Sequence, residues 1–124
     1  MKKTFIPLLL ALLMTTLPAC AQRSTSSDYN LRKAIEAYYD DEDLNKALDL
    51  VNEVLDDTPD NFDARFLRSK IYWNTDKYAD ALRDVSYAIK NYKGKPGVYK
   101  STLYGLHGAI FSDMDRYADA AKEY

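Results

Sequence analysis

From Asp28 onward, apolar side chains recur every three or four positions, and strict alternation never lasts more than a few residues. That is the period of a helix with one buried face, not of a strand. Read with stop and cap signals, it predicts helices over about 28–40, 44–57, 62–74, 77–91, 100–113 and 117–124. Pro59 ends the second, and Asp60 or Asn61 is available to cap the third. Gly94, Pro96 and Gly97 break the chain after the fourth. Six short helices joined by tight turns imply an all-α fold of stacked hairpins rather than a bundle of long rods.

The hairpins repeat. Setting Ala34–Val51 above Arg68–Val85 pairs Tyr38 with Tyr72, Tyr39 with Trp73, Ala47 with Ala81 and Val51 with Val85, every pair at an offset of 34. A third copy, His107–Tyr124, comes after the second at an offset of 39, with Tyr-Ala-Asp-Ala at Tyr78–Ala81 recurring at Tyr117–Ala120. The five extra residues fall in the turn Asn91–Lys100, where an insertion costs little. A helix-turn-helix period of this length resembles the tetratricopeptide repeat, whose pattern runs aromatic, Leu-Gly, Tyr, buried Ala, Pro. The first copy offers Leu31, Ala34-Ile35, Tyr38, Ala47, Val54 and Pro59; the second offers Arg65, Arg68-Ser69, Tyr72, Ala81 and Ala88, with Lys93 in the Pro position. The third matches through Tyr104, His107-Gly108 and Phe111, with His107 where Leu is usual. The resemblance implies a right-handed α-α superhelix over residues 28–124, with repeats at about 28–61, 62–95 and 101–124, the last incomplete.

The residue types fit such packing. A small side chain at Ala47, Ala81 and Ala120 lets paired helices approach while Tyr38, Tyr72 and Phe111 fill the gap. Leu44, Tyr78 and Tyr117 are expected to seal the hairpin turns. One hairpin buries too little to offset its chain entropy, so stability comes from neighbour on neighbour. Because the sequence stops at Tyr124, the final stacked face is expected either to continue into a longer repeat protein or to be covered by another chain, self-association included.

Ahead of the repeats, Lys2 and Lys3 precede Phe5–Leu17, thirteen residues without charge. That run is shorter than the roughly 20 residues a membrane-spanning helix needs and reads as a signal peptide over 1–19. Leu17, Ala19 and Cys20 resemble the bacterial lipoprotein signal, which implies lipid on Cys20 and a membrane-anchored protein of the cell envelope. Ordinary cleavage after Ala19-Cys20-Ala21 is the alternative, giving a secreted or periplasmic protein. Arg23–Asp28 reads as part of a tether over 20–27 leading into the repeats.

Composition narrows the function. The chain has 124 residues, 47% apolar and 29% charged, enough for one packed domain. Without residues 1–19 it carries 15 basic against 19 acidic side chains, a poor match for nucleic acid. One Cys and one His, His107, supply neither a zinc site nor a Cys/His catalytic pair, so no catalytic residues, metal or cofactor are expected. The acidic run Asp40–Asp43 lacks the Gly and spaced carboxylates of a calcium loop and reads as a turn. Charge is polarised: residues 28–63 hold twelve acidic and three basic side chains, residues 64–104 three acidic and nine basic.

The resemblance implies a groove lined by the first helix of each hairpin, holding a peptide or protein partner. Helical spacing assigns to it Tyr29, Arg32, Glu36, Tyr39 and Asp40, then Asp63, Phe66, Lys70, Trp73 and Asn74, then Thr102, Gly105, Ala109, Ser112 and Asp113. Tyr39, Phe66 and Trp73, with Arg32 and Lys70 between them, are residue types enriched at binding hot spots. Phe66 and Trp73 packing between neighbouring helices is the competing reading. A clamp for a carboxylate tail is disfavoured, since Glu36, Leu67 and Leu106 stand where Asn, Asn and Arg are required. The function expected is a non-enzymatic interaction scaffold of the bacterial envelope; the alternative is the amino-terminal module of a larger exported enzyme or sensor.

Overall fold

The computed structural model describes residues 19–94 and 97–122, with side chains from Ser26 onward. The described residues form five helices and no strand: α1 Ala19–Tyr39, α2 Leu44–Asp57, α3 Phe62–Asn74, α4 Tyr78–Lys90 and α5 Lys100–Lys122. The expected signal segment lies outside the described residues, as does the Cys20 side chain. No helix among them is long and apolar enough to cross a membrane.

Local chemistry sets the boundaries. Asp43 accepts the Lys46 amide at 3.0 Å and caps α2; Asn61 accepts the Ala64 amide at 3.0 Å and caps α3. Thr58, just before Pro59, returns its amide and its hydroxyl to the Val54 carbonyl and closes α2. Each of the first two hairpin turns contains one left-handed residue, Glu42 at φ 53° and Asp76 at φ 61°. In the longer connection before α5 that role passes to Gly94 and Gly97, both at positive φ.

Packing follows chain order: α1 on α2, α2 on α3, α3 on α4, α4 on α5, with α1 also touching α3. The buried face of α2, Ala47, Val51, Val54 and Leu55, meets Ala34 and Ala37 of α1 and Ala64, Leu67 and Ile71 of α3. A second cluster joins Ala81 and Val85 of α4 to Ile110 of α5, flanked by Tyr72 and Tyr78. Ala47 and Ala81 are fully buried, as their helix-crossing role requires.

Between these clusters lies a charged knot. Asp84 of α4, 1% exposed, accepts Arg68 Nε at 2.7 Å and Nη2 at 2.8 Å, and Arg65 Nη1 at 3.0 Å. Arg68 also donates to Asn52 of α2, and Arg65 to the Pro59 carbonyl. The hydrogen bonds to Asp84 raise the Arg68 pKa above its already high ordinary value, so its charge is permanent. One carboxylate thus ties together α2, the α2–α3 turn, α3 and α4.

Two stretches differ from the sequence reading. The stretch 20–27, expected as a tether, is helical and continuous with α1. No Gly or Pro interrupts it, and buried Ser27 extends the stripe of Leu31 and Ala34 by one turn. At the other end, the expected helices 100–113 and 117–124 are one helix, α5, with no turn between them. Asp115, the counterpart of left-handed Asp76, stays helical. Met114 stands where the α3–α4 turn has Thr75, whose hydroxyl closes α3 on the Ile71 carbonyl, so the helix is not ended there. Phe111, Tyr117 and Ala120, expected in the core, are therefore exposed.

Truncating the knot's shared acceptor leaves two arginines facing a buried gap. Asp84→Ala is expected to lower the unfolding free energy by about 3–5 kcal/mol, read from urea melts. A loss below about 1 kcal/mol would show that the knot does not hold the hairpins together.

Candidate partner-binding face

The first helices of the two hairpins meet on one side of the molecule. Glu36 and Tyr39 lie on the last turn of α1, while Phe66 and Lys70 lie four apart on one face of α3. Lys70 Nζ donates to the Tyr39 hydroxyl at 3.0 Å and sits 4.2 Å from the centre of the Phe66 ring and 5.7 Å from that of Tyr39. Two rings from different helices thus hold one half-exposed ammonium, each contact contributing about 0.5–1 kcal/mol. Beside it is a cleft of about 130 Å³ lined by Ile35, Tyr39, Asp63, Phe66, Leu67 and Lys70. Tyr39 is 56% exposed and Ile35 41%, so the rim is apolar and open to solvent.

Other residues assigned to the groove lie around this cleft. Tyr29 and Arg32 are exposed on α1, the guanidinium 5.7 Å from the Tyr29 ring centre. Glu36 pairs with Lys33 at 2.9 Å, and that hydrogen bond lowers its pKa below the usual carboxylate value. Asn74 donates to the Tyr38 hydroxyl at 2.7 Å and closes the α1–α3 seam at its far end. Burial raises the Tyr38 pKa, so this seam keeps a neutral phenol.

Trp73 does not line that cleft. Half-buried, it packs beside the α4–α5 cluster, and its indole Nε1 donates to Asp113 Oδ2 at 2.8 Å. It therefore joins α3 to α5, one step further along the same series of first helices. Thr102, Gly105 and Ser112 are exposed on α5, and Ala109 is half-buried. At the positions a carboxylate clamp requires, Leu67 is buried and Leu106 packs against Ala81 and Val85.

Sequence reasoning missed three features. Ile35 lines the cleft although its place in the repeat reads as core; it lies one turn from exposed Tyr39 on the same helix face. The Arg65–Asp84–Arg68 knot buries two of the nine basic charges of residues 64–104 in an ion-pair network. A further cavity of about 270 Å³, lined by Asp60, Phe62, Tyr87, Asn91 and Lys93, opens where the α2–α3 turn meets the end of α4.

Chemically, the α1–α3 cleft offers an apolar floor, aromatic walls and one cation held at the edge. That suits an apolar side chain with a carbonyl beside it, since Asp63 in the same lining opposes a second carboxylate. Among the described residues, no group of three or more His, Cys, Asp or Glu is placed to hold a metal ion. No family model, curated protein or solved structure matches the chain.

The position of Trp73 is directly testable, because it is the only Trp in the chain. Asp113→Ala removes the indole's acceptor, at about 1.5–3 kcal/mol for a bond to a charged group. Trp emission is expected to shift red and iodide quenching to rise; unchanged emission would take Trp73 away from α5.

Proposed function

We propose that this chain is a non-enzymatic protein-protein interaction scaffold of the bacterial cell envelope, built from tetratricopeptide-like hairpins. Its partner is a peptide or protein segment bound along the face made by α1, α3 and α5. The observation that carries this reading is the cleft in which Tyr39, Phe66 and Lys70, from two successive first helices, converge around one exposed pocket. Further support comes from the hairpin period of 34 and from packing in chain order with α1 touching α3, as stacked repeats require. Aromatic side chains flanking a cation supply the large, rigid contact area on which binding energy concentrates. Trp73 would extend the surface toward α5. Cys20, after a basic start and a short apolar run, would carry the lipid that holds the scaffold at the membrane.

The groove is tested by selecting binders from a random-peptide display library and titrating them against variants. Phe66→Ala is expected to weaken capture at least about tenfold with helicity unchanged. Arg83→Gln, exposed on α4 away from the assigned groove and paired with Asp80, should leave capture unchanged. Peptides that bind both variants as well as the parent would move the binding face elsewhere.

The anchor is tested separately. Labelled palmitate fed to cells expressing the full chain should be incorporated, and Cys20→Ala should abolish it. Equal labelling of the variant would remove the lipid from Cys20.

A further inference from the structure

The cavity of about 270 Å³ at the α2–α3 turn and the end of α4 is walled by side chains that other contacts already hold in place. Arg65 donates from Nε to the Pro59 carbonyl, beside Asp60, and its guanidinium lies 4.5 Å from the centre of the Tyr87 ring. One side chain of the knot thus ties the turn to the ring. Phe62 has the Tyr92 ring 6.1 Å away, and Tyr92 donates its hydroxyl to the Val98 carbonyl at 2.6 Å. The lengthened α4–α5 connection is thereby folded back on itself next to α3, with Lys93 at the cavity.

The lining holds one carboxylate and one ammonium. Among the described residues, no hydrogen bond or ion pair engages the carboxylate of Asp60 or the ammonium of Lys93, although both border the same space. Exposed ions of opposite sign gain little by collapsing onto each other, so the gap between them stays open to a ligand that carries both complementary charges. Asn91 Nδ2 donates to the Tyr87 carbonyl at 2.9 Å, which leaves Oδ1 as an acceptor. Phe62 and Tyr87, both half-buried, supply aromatic surface below this polar rim. The volume falls just under the roughly 300–1,000 Å³ of drug-sized ligand sites, so the occupant is small. A peptide spreads its two terminal charges over its whole length, whereas a free α-amino acid carries both on one carbon.

We propose that this cavity binds a free α-amino acid with an aromatic or large apolar side chain. Its ammonium lies against the Asp60 carboxylate and Asn91 Oδ1, its carboxylate accepts from Lys93 Nζ, and its side chain enters between the rings of Phe62 and Tyr87. The site shares no lining residue with the α1–α3 cleft and is independent of what that cleft binds.

Isothermal titration of the purified full chain with L-phenylalanine is expected to show one saturable site. Phenethylamine, which lacks the carboxylate, and 3-phenylpropionate, which lacks the ammonium, should each bind at least about tenfold more weakly. Lys93→Gln should weaken L-phenylalanine at least about tenfold and remove its advantage over phenethylamine; Asp60→Asn should do the same against 3-phenylpropionate. Both side chains are exposed, so helicity should be unchanged. Tyr39→Ala, in the other cleft, should leave L-phenylalanine binding as it is. Absence of saturable binding with L-phenylalanine and L-leucine alike would overturn the assignment. So would Lys93 and Asp60 variants that bind like the parent, or analogues that bind as tightly as the amino acid.

Discussion

The fold turns on a single carboxylate. Asp84 is almost wholly removed from water and is satisfied by the guanidinium groups of Arg65 and Arg68, which in turn reach Asn52 and the Pro59 carbonyl. Apolar side chains tolerate sliding, because dispersion and burial have little direction. A buried charge does not, since its desolvation is offset only when every donor is in place. The knot therefore sets how the second hairpin sits on the first. The ring of Tyr87 lies 4.5 Å below the Arg65 guanidinium and that of Tyr72 5.6 Å from Arg68, so aromatic faces support the cations from outside.

That register positions the candidate site. Arg65 and Phe66 are neighbours on α3 that serve opposite sides: the first binds into the knot, the second turns to α1. Shifting α3 by one residue would carry Lys70 away from Tyr39 and open the cation's cage. The cleft thus depends on an interaction on the far side of its own helix, and the exposed aromatic rim is tolerated because the polar knot, not the rim, keeps the helices in place.

One tetrapeptide shows how far packing overrides local sequence. Tyr-Ala-Asp-Ala at Tyr78–Ala81 begins a helix after a sharp turn, and its second Ala is fully buried. The same four residues at Tyr117–Ala120 lie within α5, exposed. The difference lies in what each helix packs against. Leu82, Val85 and Ile89 give the first copy an apolar face that packs in the α4–α5 cluster and rewards the left-handed Asp76, while the second copy continues a helix already packed through Leu103 and Ile110. Turn formation is a tertiary decision made at each repeat.

The helical class, the bounds of α2, α3 and α4 to within a residue, a cap for α3 at Asp60 or Asn61, and the small crossing residues Ala47 and Ala81 were all legible in the sequence. All of these arise from local periodicity, capping and side-chain size, which act within a few residues. Long-range packing set the rest: α1 runs back to Ala19, α5 does not turn, Ile35 lines a cleft, and Trp73 reaches Asp113 rather than that cleft. The Asp84 knot belongs with these, because its donors lie 16 and 19 residues away along the chain. Such features arise when distant segments are brought together and water is excluded, and no periodicity in one segment records which partner the other will supply.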